Sequence, residues 1–256
     1  IWVLVNKAEH VVIFFYDNGS RGRDVLTDFI GDAELKSIMS DGYNAYTFIG
    51  NELKAAETPN LSKTDHQVCL AHARAKFVKA SEQAGDKNAD IFIKYIEDLY
   101  NLERQYTKDN LTDEERGKQR QSLETKGILI NLRTHLGIEK SKDPATVTPY
   151  LQKALNYLDT FWANIFTYIK DGSYPIDNNA AERAVRPLTI QRNNMLHFGS
   201  DEGAKMAATY HSIISTVKLQ GRSAWDYLGK FFVNIFNGCR DFFSLRPGNI
   251  GLATCQ

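Results

Sequence analysis

The stretch Tyr174-Pro175-Ile176-Asp177-Asn178-Asn179-Ala180-Ala181-Glu182-Arg183-Ala184-Val185-Arg186-Pro187 concentrates more polar chemistry than any other part of this chain. Asp177 is a good helix N-cap, and Pro187 is expected to end the short helix that follows. At helical spacing Asn178, Glu182 and Arg186 fall on one stripe, so one carboxylate is flanked by an amide and a guanidinium. A capped helix with a Glu182–Arg186 surface pair would account for the same residues without any site. The first partner for Glu182 is Asp41, where a strand stops and a Gly42-Tyr43 turn begins. A carboxylate at a strand end points into the crevice where α/β proteins place their sites; the competing explanation is a turn-forming Asp before Gly. Two such carboxylates could converge on Mg²⁺, a hard ion that prefers oxygen ligands. In paired-metal sites one ion activates the attacking oxygen and the other stabilises the leaving oxygen of a phosphodiester.

Cys69-Leu70-Ala71-His72 has the spacing of a zinc-ligand pair, but no second half accompanies it. A buried thiol and a hydrogen-bonded histidine at a strand–helix junction explain it more simply. Two runs are locally basic. His66–Ala80 carries Arg74, Lys76 and Lys79, and Arg183–Ser200 carries Arg183, Arg186 and Arg192, neither with an acid. Both adjoin the motifs above and suit phosphate contact, although a solvated helix face has the same composition. Ser212, Ser215 and His211 lack the Gly-x-Ser-x-Gly turn of a hydrolase. There is no Walker loop and no dinucleotide fingerprint.

These residues need a scaffold, and composition bounds it. The 256 residues are 43% hydrophobic and 24% charged, with 31 basic and 31 acidic side chains. Such a chain can bury a sizeable core, and any polyanion site must come from local clustering. Cys69, Cys239 and Cys255 make no disulfide framework and point to a reducing compartment. No apolar run is long enough for a membrane span. Ile1–Asn6 and Val11–Tyr16 read as a β-hairpin, Leu35–Ser40 as a strand, and His66–Leu70 as a strand running into a helix over Ala71–Gln83. From about Asp90 to Lys170 the period is helical, with a third helix drawn from Leu151 to Ile169. Leu188–Ile190 and Asn194–Phe198 read as extended; Ser200 then caps a helix to about Leu219, and Trp225–Phe236 is the last helix.

Together these motifs resemble transposases of the insertion sequence 66 family. Four blocks match in order: Ser40–Tyr46, Cys69–Phe77, Ile176–Pro187, and Arg192-Asn193-Asn194 through Phe198–Ala204. The resemblance covers roughly residues 1 to 235 and implies an α/β fold, a ribonuclease H-like core interrupted by a large all-α insertion. It divides the chain into a first core part (1–84), the helical insertion (85–172), a second core part (173–222), and a C-terminal helix and tail (223–256). It implies a DDE transposase that cuts the element's ends by hydrolysis and joins the freed 3′-hydroxyl to target DNA, with two Mg²⁺ ions, or Mn²⁺ in their place. Asp41 matches the second acid and Glu182 the third, as catalytic and metal-binding residues. Cys69, His72, Arg74, Lys76, Asn178, Asn179, Arg183, Arg186 and Arg192 are carried over as contacts to DNA or as groups that orient the acids. DNA, a second copy of the chain on DNA, and the bacterial cytoplasm are the implied partners and setting, with no membrane. A structure-specific nuclease on the same fold, and an inactive remnant that only binds DNA or subunits, are the alternatives.

One departure matters. The family's first acid lies on a strand before the equivalent of Ile1-Trp2-Val3, so the 256 residues are expected to be a fragment lacking the first catalytic Asp. The expected outcome is that this chain alone is catalytically inert while the intact protein is active. A strand-transfer assay that finds Mg²⁺-dependent joining by the chain alone would refute it.

Overall fold

The computed structural model describes residues 1–20, 22–51, 58–195 and 197–250. Among these described residues four strands, β1 (Trp2–Asn6), β2 (Val11–Phe15), β3 (Ser37–Ser40) and β4 (Asp65–Val68), stand with eleven helices. These are α1 (Arg23–Ile30), α2 (Pro59–Ser62), α3 (Leu70–Ala84), α4 (Lys87–Lys108), α5 (Asp113–Arg120), α6 (Leu123–Ser141), α7 (Pro149–Thr160), α8 (Trp162–Ile165), α9 (Asn179–Met195), α10 (Asp201–Leu219) and α11 (Ala224–Phe236). The class is thus α/β with helix dominant. The chain divides into two compact units, Gly22–Asn178 and Ile1–Arg21 with Asn179–Gln256.

In the unit Gly22–Asn178, β3 and β4 pair in parallel, Ser37 opposite Asp65 and Ser40 opposite Val68. A helical bundle carries the core. Leu70, Phe77, Phe92, Ile96, Leu99, Leu132, Leu136, Leu151 and Leu158 are all buried in one cluster, and the Phe77 and Phe92 rings stack at 4.5 Å. The bundle's helix ends are written in local chemistry. Gly85 closes α3 with a left-handed backbone, φ 63°. Asp86, Thr112, Ser122 and Thr148 cap the helices that follow, Thr112 with Glu115 in a full capping box.

The expected third helix is not continuous. It breaks at Phe161, and after α8 the chain tightens into a 3-10 turn at Phe166–Lys170. Side chains from the end of α5 claim the carbonyls there. Arg120 Nη1 donates to the carbonyls of Tyr168 and Asp171, and Gln121 Nε2 donates to that of Ile169 (2.8 Å). Arg120 is 2% exposed and grips both oxygens of Glu103, at 2.7 and 2.8 Å. Arg116 adds a third donor to Glu103 at 3.2 Å. The buried guanidinium therefore has its charge matched and three of its nitrogens bonded, the condition for burying it at all.

In the other unit, β1 and β2 form the antiparallel hairpin, Trp2 opposite Phe15 and Asn6 opposite Val11. The outer edge of β2 meets α10. Thr216 Oγ1 accepts the Val12 N–H (3.0 Å) and donates to the Val12 carbonyl (2.9 Å). Ser212 Oγ accepts the Phe14 N–H at 2.7 Å and lies 3.0 Å from the Phe14 carbonyl. On a helix, i to i+4 advances about 6 Å, close to the roughly 6.7 Å of i to i+2 along a strand, so the two hydroxyls match the ladder. Ser212 and Thr216 serve the sheet edge.

Helix α9 lies across the same hairpin. Ala184, Val185 and Leu188 pack with Val3, Val5, Val12 and Phe14. Here two sequence expectations need correction. The helix does not end at Pro187, and Leu188–Ile190 is not extended, for α9 runs through Pro187 to Met195. Pro187 is on the exposed side, so the Arg183 carbonyl that loses its helical partner can bond water, while the apolar stripe of α9 stays unbroken. Cys69 is a free, buried thiol.

Replacing Glu103 by Ala should cost the unit Gly22–Asn178 about 3–5 kcal/mol, because Arg120 would keep its charge and lose its counter-ion. Urea unfolding of Glu103→Ala against the parent chain reads this directly; a loss below about 1 kcal/mol would contradict the role given to the pair.

Candidate metal and nucleic-acid site

Asp41 is the residue after β3, at the carboxyl end of the parallel pair. Its turn is held from several sides. Asp41 Oδ1 accepts the Tyr43 N–H (2.9 Å), an Asx-turn that leaves Oδ2 outside that bond. Its carbonyl accepts the Tyr157 hydroxyl from α7 (2.7 Å). Gly42 has φ 81°, and a Cβ there would come within 2.8 Å of Tyr157 Oη and 3.2 Å of Phe161 Cε2. Glycine is thus required for the backbone and for the close approach of α7. Beneath the turn, Ser40 Oγ meets His66 Nε2 at 2.9 Å, both side chains buried. Burial lowers the His66 imidazole to about 4, so it is neutral at pH 7.

The Asp41 carboxylate is exposed, and its field reaches two phenols. Tyr46 and Tyr157 are both raised, first by their own burial and then in part by Asp41. Lys76 Nζ sits 4.6 Å from the centre of the Tyr157 ring, a cation close to this turn. Arg74 faces Glu97 of α4 at 3.8 Å.

Cys69 occupies the N-cap position of α3, and its Sγ accepts the Asn178 N–H at 3.2 Å. The Leu70 N–H also reaches the Ile176 carbonyl at 3.4 Å. Two bonds therefore tie the segment Ile176–Asn178 to the start of α3. Burial raises the Cys69 thiol, which keeps it protonated, as the buried-thiol explanation requires. His72 is half-buried in the first turn of α3. Among the described residues no group of three His, Cys, Asp or Glu side chains could hold a metal ion.

Glu182 lies in the other unit, in the first turn of α9. The helix begins at Asn179, so Asn178 precedes it instead of sharing its stripe, and Asp177 is two residues upstream. Asp177 instead acts near Tyr100, whose phenol is raised by burial and then by this carboxylate. Ala184, Val185 and Leu188 of α9 face the hairpin, and Glu182, Arg183, Arg186 and Arg192 are all exposed. A carboxylate with three guanidiniums on a solvent-facing surface can bind a divalent cation and phosphate together. Ser40, His66 and Tyr157 were not anticipated as supports of Asp41. His66 and Tyr157 are distant from Asp41 in sequence, and no short spacing announces them.

Residues 1–206 match the model of the Transposase IS66 family. Three curated proteins of Sinorhizobium fredii (strain NBRC 101917 / NGR234), each named only as uncharacterized, are similar to the chain. Protein y4jD is 26% identical over 78% of this chain and 38% of its own length. Protein y4qI is 29% identical over 93% of the chain and 43% of its own length. Protein y4hP is 27% identical over 83% and 38%. The chain thus spans about two fifths of the length of these relatives. No solved structure matches.

The neutral, buried His66 makes stability depend on pH. An unfolded histidine titrates near 6.5, so between about 6.5 and 4 the unfolded chain binds a proton that the folded chain refuses. The contribution is complete above pH 6.5 and should fall away by about 3 kcal/mol as pH drops towards 4. Denaturant unfolding at several pH values in that window measures it. His66→Gln should flatten this part of the slope, and an unchanged slope would remove His66 as its source.

Proposed function

This chain belongs to the Transposase IS66 family, and from that premise we propose that it is the catalytic region of a DNA transposase in which Asp41 and Glu182 hold Mg²⁺. The observation that carries the reading is Asp41: an exposed carboxylate fixed in a tight turn at the carboxyl end of a parallel strand pair, the place where α/β folds put their chemistry. In this reading the strands belong to a ribonuclease H-like core. The helices from α4 to α8 are its insertion.

The donors fit the ion. Both are carboxylates, which hard divalent cations prefer, and both are exposed. When bound, Mg²⁺ supplies charge stabilisation for phosphodiester cleavage and an acidic setting for the attacking hydroxyl. The chain's own residues do the rest. Tyr157, Gly42 and Ser40 hold the Asp41 turn, so that no backbone reorganisation is needed when a ligand arrives. Arg183, Arg186 and Arg192 bind backbone phosphates, with Arg186 one helical turn from Glu182 and able to orient it. Lys76, over the Tyr157 ring whose hydroxyl bonds the Asp41 carbonyl, adds a cation near that turn, and Arg74 is a further phosphate contact in this reading. Hydrolysis breaks a phosphorus–oxygen bond at the element's end and frees a 3′-hydroxyl. That hydroxyl then attacks a target phosphodiester, loses its proton to solvent and displaces the target's own 3′-oxygen.

In the full-length protein, Glu182→Gln should lower cleavage of an element end by about 10³-fold or more while leaving DNA binding within a few-fold. Single-turnover cleavage and a mobility-shift titration, run side by side, measure the two. Normal cleavage by the variant would defeat the assignment of Glu182.

A further inference from the structure

We propose that a cavity of ≈ 350 Å³ between the end of β2, the end of α9 and the loop before α10 receives one unpaired nucleotide of DNA. The inference rests on the transposase reading and adds to it a pocket for a single extruded or overhanging base. All its walls belong to the unit that contains α9. Its volume is at the small end of the range of specific ligand sites, room for one nucleotide and far too little for a duplex.

The lining has the composition that unpaired bases select. Tyr16 and Phe198 supply aromatic rings, on which any base can stack. Phe198 is anchored by packing with the hairpin core. Tyr16 is anchored by its hydroxyl, which donates to Asp201 Oδ1 at 2.6 Å and so fixes the ring at its far end. Asp201 places negative charge on the Tyr16 side, which therefore disfavours a phosphate and leaves that side to the neutral base. Arg192, opposite in charge, and His197 line the same cavity. His197 Nδ1 accepts the Gly199 N–H at 2.9 Å, so the neutral imidazole carries its proton on Nε2 and can donate to a phosphate or a base edge. Gly199 has φ 80°, where a side chain would strain the backbone. Arg192 lies ten residues along α9 from Glu182, which would put the unpaired nucleotide on the same helix as the proposed metal ligand.

The test compares binding of the 256-residue chain to two duplexes of equal paired length, one blunt and one ending in a single unpaired 2-aminopurine nucleotide, made with either 3′ or 5′ polarity. The expected result is about tenfold tighter binding of one overhang, with quenching of 2-aminopurine emission by stacking. Tyr16→Leu and His197→Ala should bring the affinity ratio towards one, and Tyr16→Phe, which keeps the ring, should restore most of it. Equal affinity for blunt and overhanging DNA without quenching overturns the pocket and leaves the transposase reading standing. Binding to neither duplex overturns both. Should Tyr16→Leu fail to fold, the parent chain's quenching and the His197→Ala ratio decide; a ratio that His197→Ala leaves intact, with no quenching, counts against the pocket.

Discussion

A two-stranded ladder leaves the outer edge of each strand with unmade backbone hydrogen bonds, and the described sheets of this protein are both two-stranded. Helical side chains meet that demand. In one unit Ser212 and Thr216 of α10 bond the N–H groups of Phe14 and Val12 as a neighbouring strand would. In the other, Asn164 of α8 donates to the His66 carbonyl of β4 at 3.0 Å. Each bond has a positional consequence. α10 is keyed to β2, with Ala208 and Leu188 of α9 drawn into the same hairpin core. α8 is keyed to β4, and through β4 to β3 and the Asp41 turn. An exposed edge would invite another chain to pair with it; hydroxyls and an amide at helical spacing prevent this without adding a strand.

The helical bundle is fixed in a second way, by charge. Glu103 of α4 and Arg120 of α5 are buried together, and Arg120 also holds the 3-10 turn that leads to the Tyr174–Asn178 segment. Well-packed apolar residues could fill such a space at similar stability. What the ionic arrangement adds is direction, because a guanidinium satisfied by a carboxylate and by two carbonyls has one orientation. The segment it steers then meets the start of α3 through Cys69 and Leu70. The pair therefore acts at a distance on the end of the chain segment that leads into α9.

Much of this was legible in the residues. Capping chemistry gave the start of α10 at Ser200, and alternation gave the hairpin to within a residue. The strand before Asp41 and the strand–helix junction at Cys69 were legible too. The extent of α9 was not, because Pro187 reads locally as a stop, and only the apolar stripe of Ala184, Val185 and Leu188, packed against the hairpin, outweighs it. The break at Phe161 was hidden for a related reason: an unbroken apolar period continues through it, while the groups that take the carbonyls, Arg120 and Gln121, sit some forty residues earlier. Among the candidate residues, the types of Asp41 and Glu182 drew attention on their own. Their supports did not, since Tyr157 and His66 become supports only through tertiary contact.

The contact between Gly42 and α7 has a wider meaning. With Tyr157 and Phe161 against its α-carbon, the Asp41 loop has no slack on the bundle side. The seating of α7 and the aim of the carboxylate are then one mechanical coordinate. Changes deep among the leucines of the bundle would be felt as a mis-set carboxylate before they were felt as unfolding. The helical region is in this sense the gauge block against which the acid is set.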